Sequence, residues 1–131
     1  MILVDTSVWV DYFRRGESPE AICLQAVILD DAELSINGLI LTEVLQGIGS
    51  DRECAEAERE LSGLTYLLMT RESHVLAADI YRRARRKGKT VRSPADCMIA
   101  ACAIAHQATL LQRDRDFAAI AEVSDLKLAI V

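Results

Sequence analysis

Short apolar runs alternate with longer amphipathic stretches, and this alternation constrains the chain more than any other feature. The runs fall at residues 2–4, 34–36, 66–69, 109–111 and 126–130. Most are continuous rather than alternating in polarity, as expected for strands of a parallel sheet buried on both faces. Helical segments lie between them. One spans 19–31 behind a Ser18-Pro19 start, with proline in the first turn. A pair spans 38–47 and 51–63, broken between Gly47 and Ser50. Another covers 72–87 and stops at Gly88. The last covers 94–106, with Ser93 as its N-cap. With 131 residues, two independently folding units would be a squeeze. The expectation is one domain over 1–131, an α/β three-layer α/β/α sandwich around a mostly parallel sheet of four to five strands.

Several classes are disfavoured. Half the residues are hydrophobic (51%), enough for a real core. The longest apolar run, 97–105, is nine residues, far short of the ~18 that a membrane span needs. The chain opens on an apolar strand without a basic leader pattern, so no export is expected. Cys23, Cys54, Cys97 and Cys102 form no C-x-x-C pair. They read as small buried thiols of a reducing cytoplasm, not as a zinc site or a disulfide framework.

Open parallel sheets bind ligands beyond the carboxyl ends of their strands. Acids stand at those places. Asp5 follows the first run directly, with Thr6 and Ser7 next to it. Glu43 lies in a helix that is apolar on nearly every side. Asp96 is in the first turn of the most apolar helix, and Asp114 and Asp116 follow the run at 109–111. Each has a plain structural reading. Asp5 and Asp114 are good N-caps, Asp96 can complete a capping box with Ser93, and Asp116 is an ordinary first-turn acid. Glu43 is harder to dismiss, because buried unpaired Glu is rare.

Taken together the acids converge on one edge of the sheet. Two like charges at ~4 Å cost about 4 kcal/mol at an effective dielectric of ~20. Such a cluster must take up protons or hold cations, and oxygen-only ligands favour Mg2+ or Mn2+ over zinc. That arrangement suits activation of water against a phosphodiester.

The segments carrying these acids are MILVDTSVW (1–9), LTEVLQG (41–47), SPADCMIAA (93–101) and LLQRDRDF (110–117). In this order and at these separations they resemble the successive acidic motifs of the PIN domain. Size and spacing are most similar to the VapC toxins of type II toxin–antitoxin pairs. The resemblance covers nearly the whole chain. It implies an Mg2+- or Mn2+-dependent endoribonuclease, silenced by a VapB-type antitoxin and often dimeric. It also implies that Asp5, Glu43, Asp96 and Asp114 are the metal-binding catalytic acids, with Asp116 sharing or replacing the role of Asp114. Thr6 or Ser7 would support them through a hydroxyl. Many relatives carry His where this chain has Gln112.

The net charge of −5 seems to disfavour an RNA partner, but the charge is unevenly spread. Residues 82–92 (RRARRKGKTVR) hold seven of the fifteen cations and no acid. The other 120 residues carry 8 cations and 20 acids, a balance of −12. A solvated helix end accounts for two or three such cations. The remainder point to an RNA phosphate track through Arg82, Arg85, Arg86, Lys89 and Arg92, or to a docking surface for an acidic antitoxin segment. Trp9, Tyr12 and Phe13, at helical spacing, read as packing rather than base stacking. His74 and His106 read as an exposed helix residue and a helix-end residue. Two alternatives to a nuclease remain: a catalytically inactive PIN-like binding module, and a receiver-type signalling domain with an acidic Mg2+ pocket. The receiver needs a phosphoacceptor Asp ending its central strand, and the run at 66–70 supplies none.

Overall fold

The computed structural model describes all 131 residues. In chain order the elements are β1 (Ile2–Val4), α1 (Thr6–Phe13), α2 (Pro19–Leu29), β2 (Leu34–Asn37), α3 (Gly38–Gln46) and α4 (Asp51–Leu61). Then follow β3 (Thr65–Leu67), α5 (Arg71–Arg86), α6 (Pro94–Ala105), β4 (Thr109–Leu111), α7 (Arg115–Glu122) and β5 (Lys127–Leu128). The five strands form one sheet in the order β3-β2-β1-β4-β5. Every pairing is parallel. This is the expected α/β/α sandwich with a parallel sheet.

The apolar runs explain the sheet. Leu3 and Val4 of β1 have no exposed surface, and all four residues of β2 are buried. The sheet edges differ. Thr65 and Tyr66 of β3 are exposed, and β5 keeps only two residues in the ladder. The two strands expected at 66–69 and 126–130 are therefore shorter or shifted, because an edge strand packs on one side only and its apolar pattern fixes its limits weakly.

Parallel connections cross over with a right hand. The chain steps from β1 to β2 to β3 in one direction, which places α1 to α4 on one face. It then returns past β1 to β4 and β5, which places α5, α6 and α7 on the other. The packing agrees: α1 meets α2 and α3, whereas α6 lies along α5 and touches α7. Small side chains make the α5–α6 contact close, with Ala77 and Ala84 on one helix and Ala100, Ala101 and Ala103 on the other all buried. Trp9, 1% exposed, stacks on Phe13 and meets Tyr12 edge-on, so this aromatic group packs the core.

Caps end the helices where the sequence says they should. Ser18 accepts a hydrogen bond from the Ala21 N–H, and Ser93 accepts one from the Ala95 N–H. Gly88 takes φ +71°, the left-handed turn that a Cβ disfavours, and closes α5. One helix, α7, is not among the segments expected from the sequence, although Phe117 and Ile120 give it a short buried face and Asp114 caps its start. Of the four thiols, Cys97 and Cys102 are buried and Cys23 and Cys54 half-buried, and none is paired. No helix is long and apolar enough to cross a membrane.

Strand order also decides against the receiver alternative, though for a different reason from the one read in sequence. The run at 65–67 is an edge strand; the central strand is β1, which does end on an acid, Asp5. Receiver-type doubly wound sheets run 2-1-3-4-5, and this sheet runs 3-2-1-4-5.

Candidate active site

The connections reverse direction at β1, whose neighbours β2 and β4 are reached by helices on opposite faces. A crevice opens there, beyond the carboxyl ends of the strands. Asp5 leaves β1 into it. The Asp5 N–H donates to the Leu111 carbonyl at 2.9 Å, so the residue is still pinned to β4. Its carboxylate caps α1, accepting from the Ser7 N–H at 3.3 Å and from the Ser7 hydroxyl at 2.7 Å. Asp5 is only 5% exposed. Burial pushes its carboxyl above the ordinary range, with a further push from the Glu43 charge, although the Ser7 hydrogen bonds pull the other way.

Glu43 reaches the crevice from α3. That helix starts at Asn37, whose buried Oδ1 accepts from the Ile40 N–H at 2.9 Å. The Thr6 hydroxyl donates to Glu43 Oε1 at 2.8 Å. Thr6 and Ser7 thus each hold a different acid. Sequence reading passed over Asn37, the residue that sets where α3 begins; its signal was an Asn directly between an apolar run and a helical one.

Asp96 sits in the first turn of α6, half-buried, near the partial positive charge of the helix N-terminus. The capping box that Ser93 and Asp96 could have made does not form. Ser93 uses its hydroxyl on the Ala95 N–H, and nothing donates to the Asp96 carboxylate. Burial and the charges of Asp5, Asp114, Asp116 and Glu43 together push its carboxyl up to about 7. Asp96 is the point where all the other acids are felt.

Asp114 and Asp116 enter from the β4–α7 junction. Asp114 caps α7, accepting from the Asp116 N–H at 2.9 Å. Asp116 is buried, which raises its carboxyl, but the Arg92 backbone N–H and guanidinium outweigh burial and hold it below the usual range. Oxygens of Asp96, Asp114 and Asp116 all lie within 4.8 Å of one another. Asp5 and Glu43 stand outside that tight trio but close enough to act on Asp96.

The trio fits a hard divalent ion. The donors are all carboxylate oxygens, they converge, and one resists ionisation for want of a counter-charge. A thiolate is no rival nucleophile, since burial and the nearby acids push Cys97 up to about 11. His106 caps α6 and bonds the Leu68 carbonyl through Nε2 at 2.9 Å, away from the acids.

The basic segment runs from the end of α5 to the mouth of this crevice. Arg82, Arg85 and Arg86 are exposed. Arg85 lies over the Tyr81 ring, 5.8 Å from its centre. Lys89 pairs with Glu122 at 2.5 Å, and Arg92 with Asp114 and Asp116. The predicted track therefore divides into three free arginines and two cations already engaged by acids.

The fold and site define a class: an all-parallel α/β sandwich with carboxylates clustered where its strand order reverses. The chain belongs to the PIN-domain family, whose pattern matches residues 2–123, and is VapC-like within it. It is 41% identical over 131 residues to a VapC ribonuclease of Mycobacterium bovis and to Ribonuclease VapC11 of Mycobacterium tuberculosis, covering 98% of each partner in the alignment. Among solved structures, VapBC2 of Rickettsia felis, bound to a DNA fragment from its promoter, superposes with a TM-score of 0.77 at 19% identity, covering 98% of both chains. VapBC-1 of nontypeable Haemophilus influenzae superposes at 0.75 with 16% identity, over 98% of this chain and 97% of that one. At such identities the superpositions speak for the fold.

Proposed function

We propose that this protein is a divalent-metal-dependent endoribonuclease and the toxin of a toxin–antitoxin pair, formed by a single domain over 1–131 and acting in the cytoplasm. The observation that carries the activity is Asp96, surrounded by four other carboxylates at the switch point of the sheet. The inactive-module alternative would have no use for five acids held at such electrostatic cost. The toxin role is supported by the 41% identity to proteins named VapC ribonucleases, and by likeness in fold to VapBC complexes. By the same route the partners are RNA and a VapB-like antitoxin. A homodimer is proposed on the family likeness alone.

Asp96, Asp114 and Asp116 would hold Mg2+, with Mn2+ as substitute, and Asp5 and Glu43 flank them. When bound, the ion supplies Lewis acidity to the phosphodiester and charge balance to the acids. The chain's own residues do the rest. Ser7 fixes the Asp5 carboxylate and Thr6 fixes that of Glu43, so both acids are aimed before substrate arrives. Either can accept the proton of the attacking water. Arg82, Arg85 and Arg86 attract the RNA backbone along the rim, while Lys89 and Arg92 are held by acids of the chain itself.

The test is cleavage of RNA by the purified protein with Mg2+ or Mn2+, with and without EDTA. Cleavage should need the ion. Asp5→Asn and Asp96→Asn should each reduce the rate by more than ~100-fold, since even outer-shell partners of metal sites cost 10–100-fold. Full activity in either variant removes the assignment.

A further inference from the structure

Arg92 is a cation placed on the oxygens a metal would need. Its Nη2 donates to both oxygens of Asp114, at 2.8 and 3.0 Å, and its Nε donates to Asp116 Oδ2 at 3.1 Å. Its backbone N–H donates to the same Asp116 oxygen at 3.1 Å. Asp114 and Asp116 are two of the three carboxylates whose oxygens converge. Lone pairs committed to a guanidinium are not free for an ion that binds carboxylates at about 2.0–2.1 Å.

The clamp is also built to let go. The Arg92 side chain is 60% exposed, so its guanidinium is open to solvent on the side away from Asp114 and the buried Asp116. A divalent ion brings twice the charge to the same site. The backbone bond to Asp116 does not depend on the guanidinium, so the loop stays anchored when the side chain leaves. A destination lies alongside: a cleft of about 520 Å³ between α5 and the start of α6, which Arg92 itself lines. Its other walls include Arg82, Arg85, Tyr81, Val91 and Met98, and no acid. In a chain of net charge −5, a cleft edged by three arginines and no acid attracts anions.

We propose that Arg92 is a displaceable counter-cation. It fills the Asp114–Asp116 face in the metal-free protein, and a divalent ion drives it into the cleft. There it joins Arg82 and Arg85 as a ligand for an RNA phosphate beside the one being cleaved. Metal loading then assembles the anion site, so metal and RNA bind cooperatively. Arginine suits both posts, because its fork matches two carboxylate oxygens as well as a phosphate. The proposal rests on reading the acids as a nuclease metal site, but its test is independent of cleavage.

Mn2+ is titrated by calorimetry into the full chain without RNA. Arg92→Gln should bind Mn2+ about fivefold tighter than the wild type, the equivalent of about 1 kcal/mol for the competing pair. Arg92→Lys, which keeps the charge but loses the fork, should fall between. In the wild type, the Arg92 Nε–Hε resonance should shift on Mg2+ titration along the same binding curve. A phosphorothioate RNA dodecamer, followed by fluorescence anisotropy, should bind the wild type more tightly with Mg2+ by a factor that shrinks in Arg92→Gln. An unchanged or weaker Mn2+ affinity in Arg92→Gln overturns the proposal, as does an Arg92 resonance that Mg2+ leaves unmoved. Should Arg92→Gln not fold, the wild-type resonance decides. If only the nuclease reading is wrong, RNA stays intact while the Mn2+ and resonance effects persist.

Discussion

The two sides of the acidic crevice solve the same problem differently. On the β1–α3 side, Asp5 and Glu43 are held by hydroxyls from Ser7 and Thr6. On the β4–α7 side, Asp114 and Asp116 are held by an arginine. A hydroxyl orients a carboxylate and leaves its charge in place; a guanidinium neutralises it. The carboxyls respond in opposite directions, with Asp5 above its ordinary range and Asp116 below. Asp96 lies between with neither kind of partner, and is pushed furthest. One side is pre-aimed and charged, the other balanced until something better arrives.

The sharpest way to break this comparison is through Asp96. With its carboxyl raised from 3.8 to about 7, the folded protein keeps a proton that the unfolded chain has lost. The contribution of Asp96 to stability is therefore fully present below 3.8 and lost as pH rises to about 7. Asp5 acts in the same direction; Asp116, being lowered, works in reverse and loses its contribution only in acid. Asp96→Asn should remove most of the decline and make the metal-free protein more stable at pH 8, even as it loses activity. Urea midpoints at pH 5 and pH 8 check this. Mg2+ should restore the wild type at pH 8 and do much less for the variant. A variant less stable than wild type at pH 8 would mean that Asp96 is not the uncompensated charge.

A smaller effect separates the hydroxyl-held side. Thr6→Val and Ser7→Ala each remove one bond to an acid, and each should lower the cleavage rate by about tenfold, at the low end for outer-shell partners. Ser7→Ala should also lower the melting temperature, because Asp5 is buried and loses a donor, whereas Thr6→Val, beside the half-buried Glu43, should change it little. Equal rates in wild type and both variants would mean that orientation by hydroxyls does not matter on this side.

The smallest effect concerns the rim. Lys89 is already paired with Glu122, so the free arginines carry the salt dependence. Replacing Arg82, Arg85 and Arg86 together with Gln should flatten the log–log salt slope of RNA binding by about 2, at ~0.7 per phosphate contact on a single strand. Lys89→Gln alone should leave the slope almost unchanged. The reverse ranking would place the RNA path on the other side of α5.

Much of the architecture was legible in the order of residues. Continuous apolar runs demanded a sheet covered on both faces, and caps such as Ser18 and Ser93, with Gly88 at a helix end, fixed where helices start and stop. The acids were legible because each follows a strand or opens a helix. Less legible were features set by contacts between distant segments. The 66–69 run gave no sign of being an edge, since edge or centre depends on what pairs beside it. A capping box between Ser93 and Asp96 is a local possibility that the sequence offers beside a metal-binding role, whereas the burial and the four acids that act on Asp96 come from distant segments. Arg92 was counted with the other rim cations, because its ion pairs span 22 and 24 residues.

The sequence alone determined the alternation of strands and helices, the gathering of acids at strand ends and the division into an acidic body and a basic segment. These follow from hydrophobic periodicity, capping chemistry and covalent order, which act over a few residues. Only the tertiary structure decided which strand is central, which carboxylates touch, and which cations are free. Those depend on strand pairing and on charges meeting at a few ångströms. The right-handed crossovers on either side of β1 bring residues 5, 43, 92, 96, 114 and 116 to one crevice, and burial there turns ordinary acids into one coupled site.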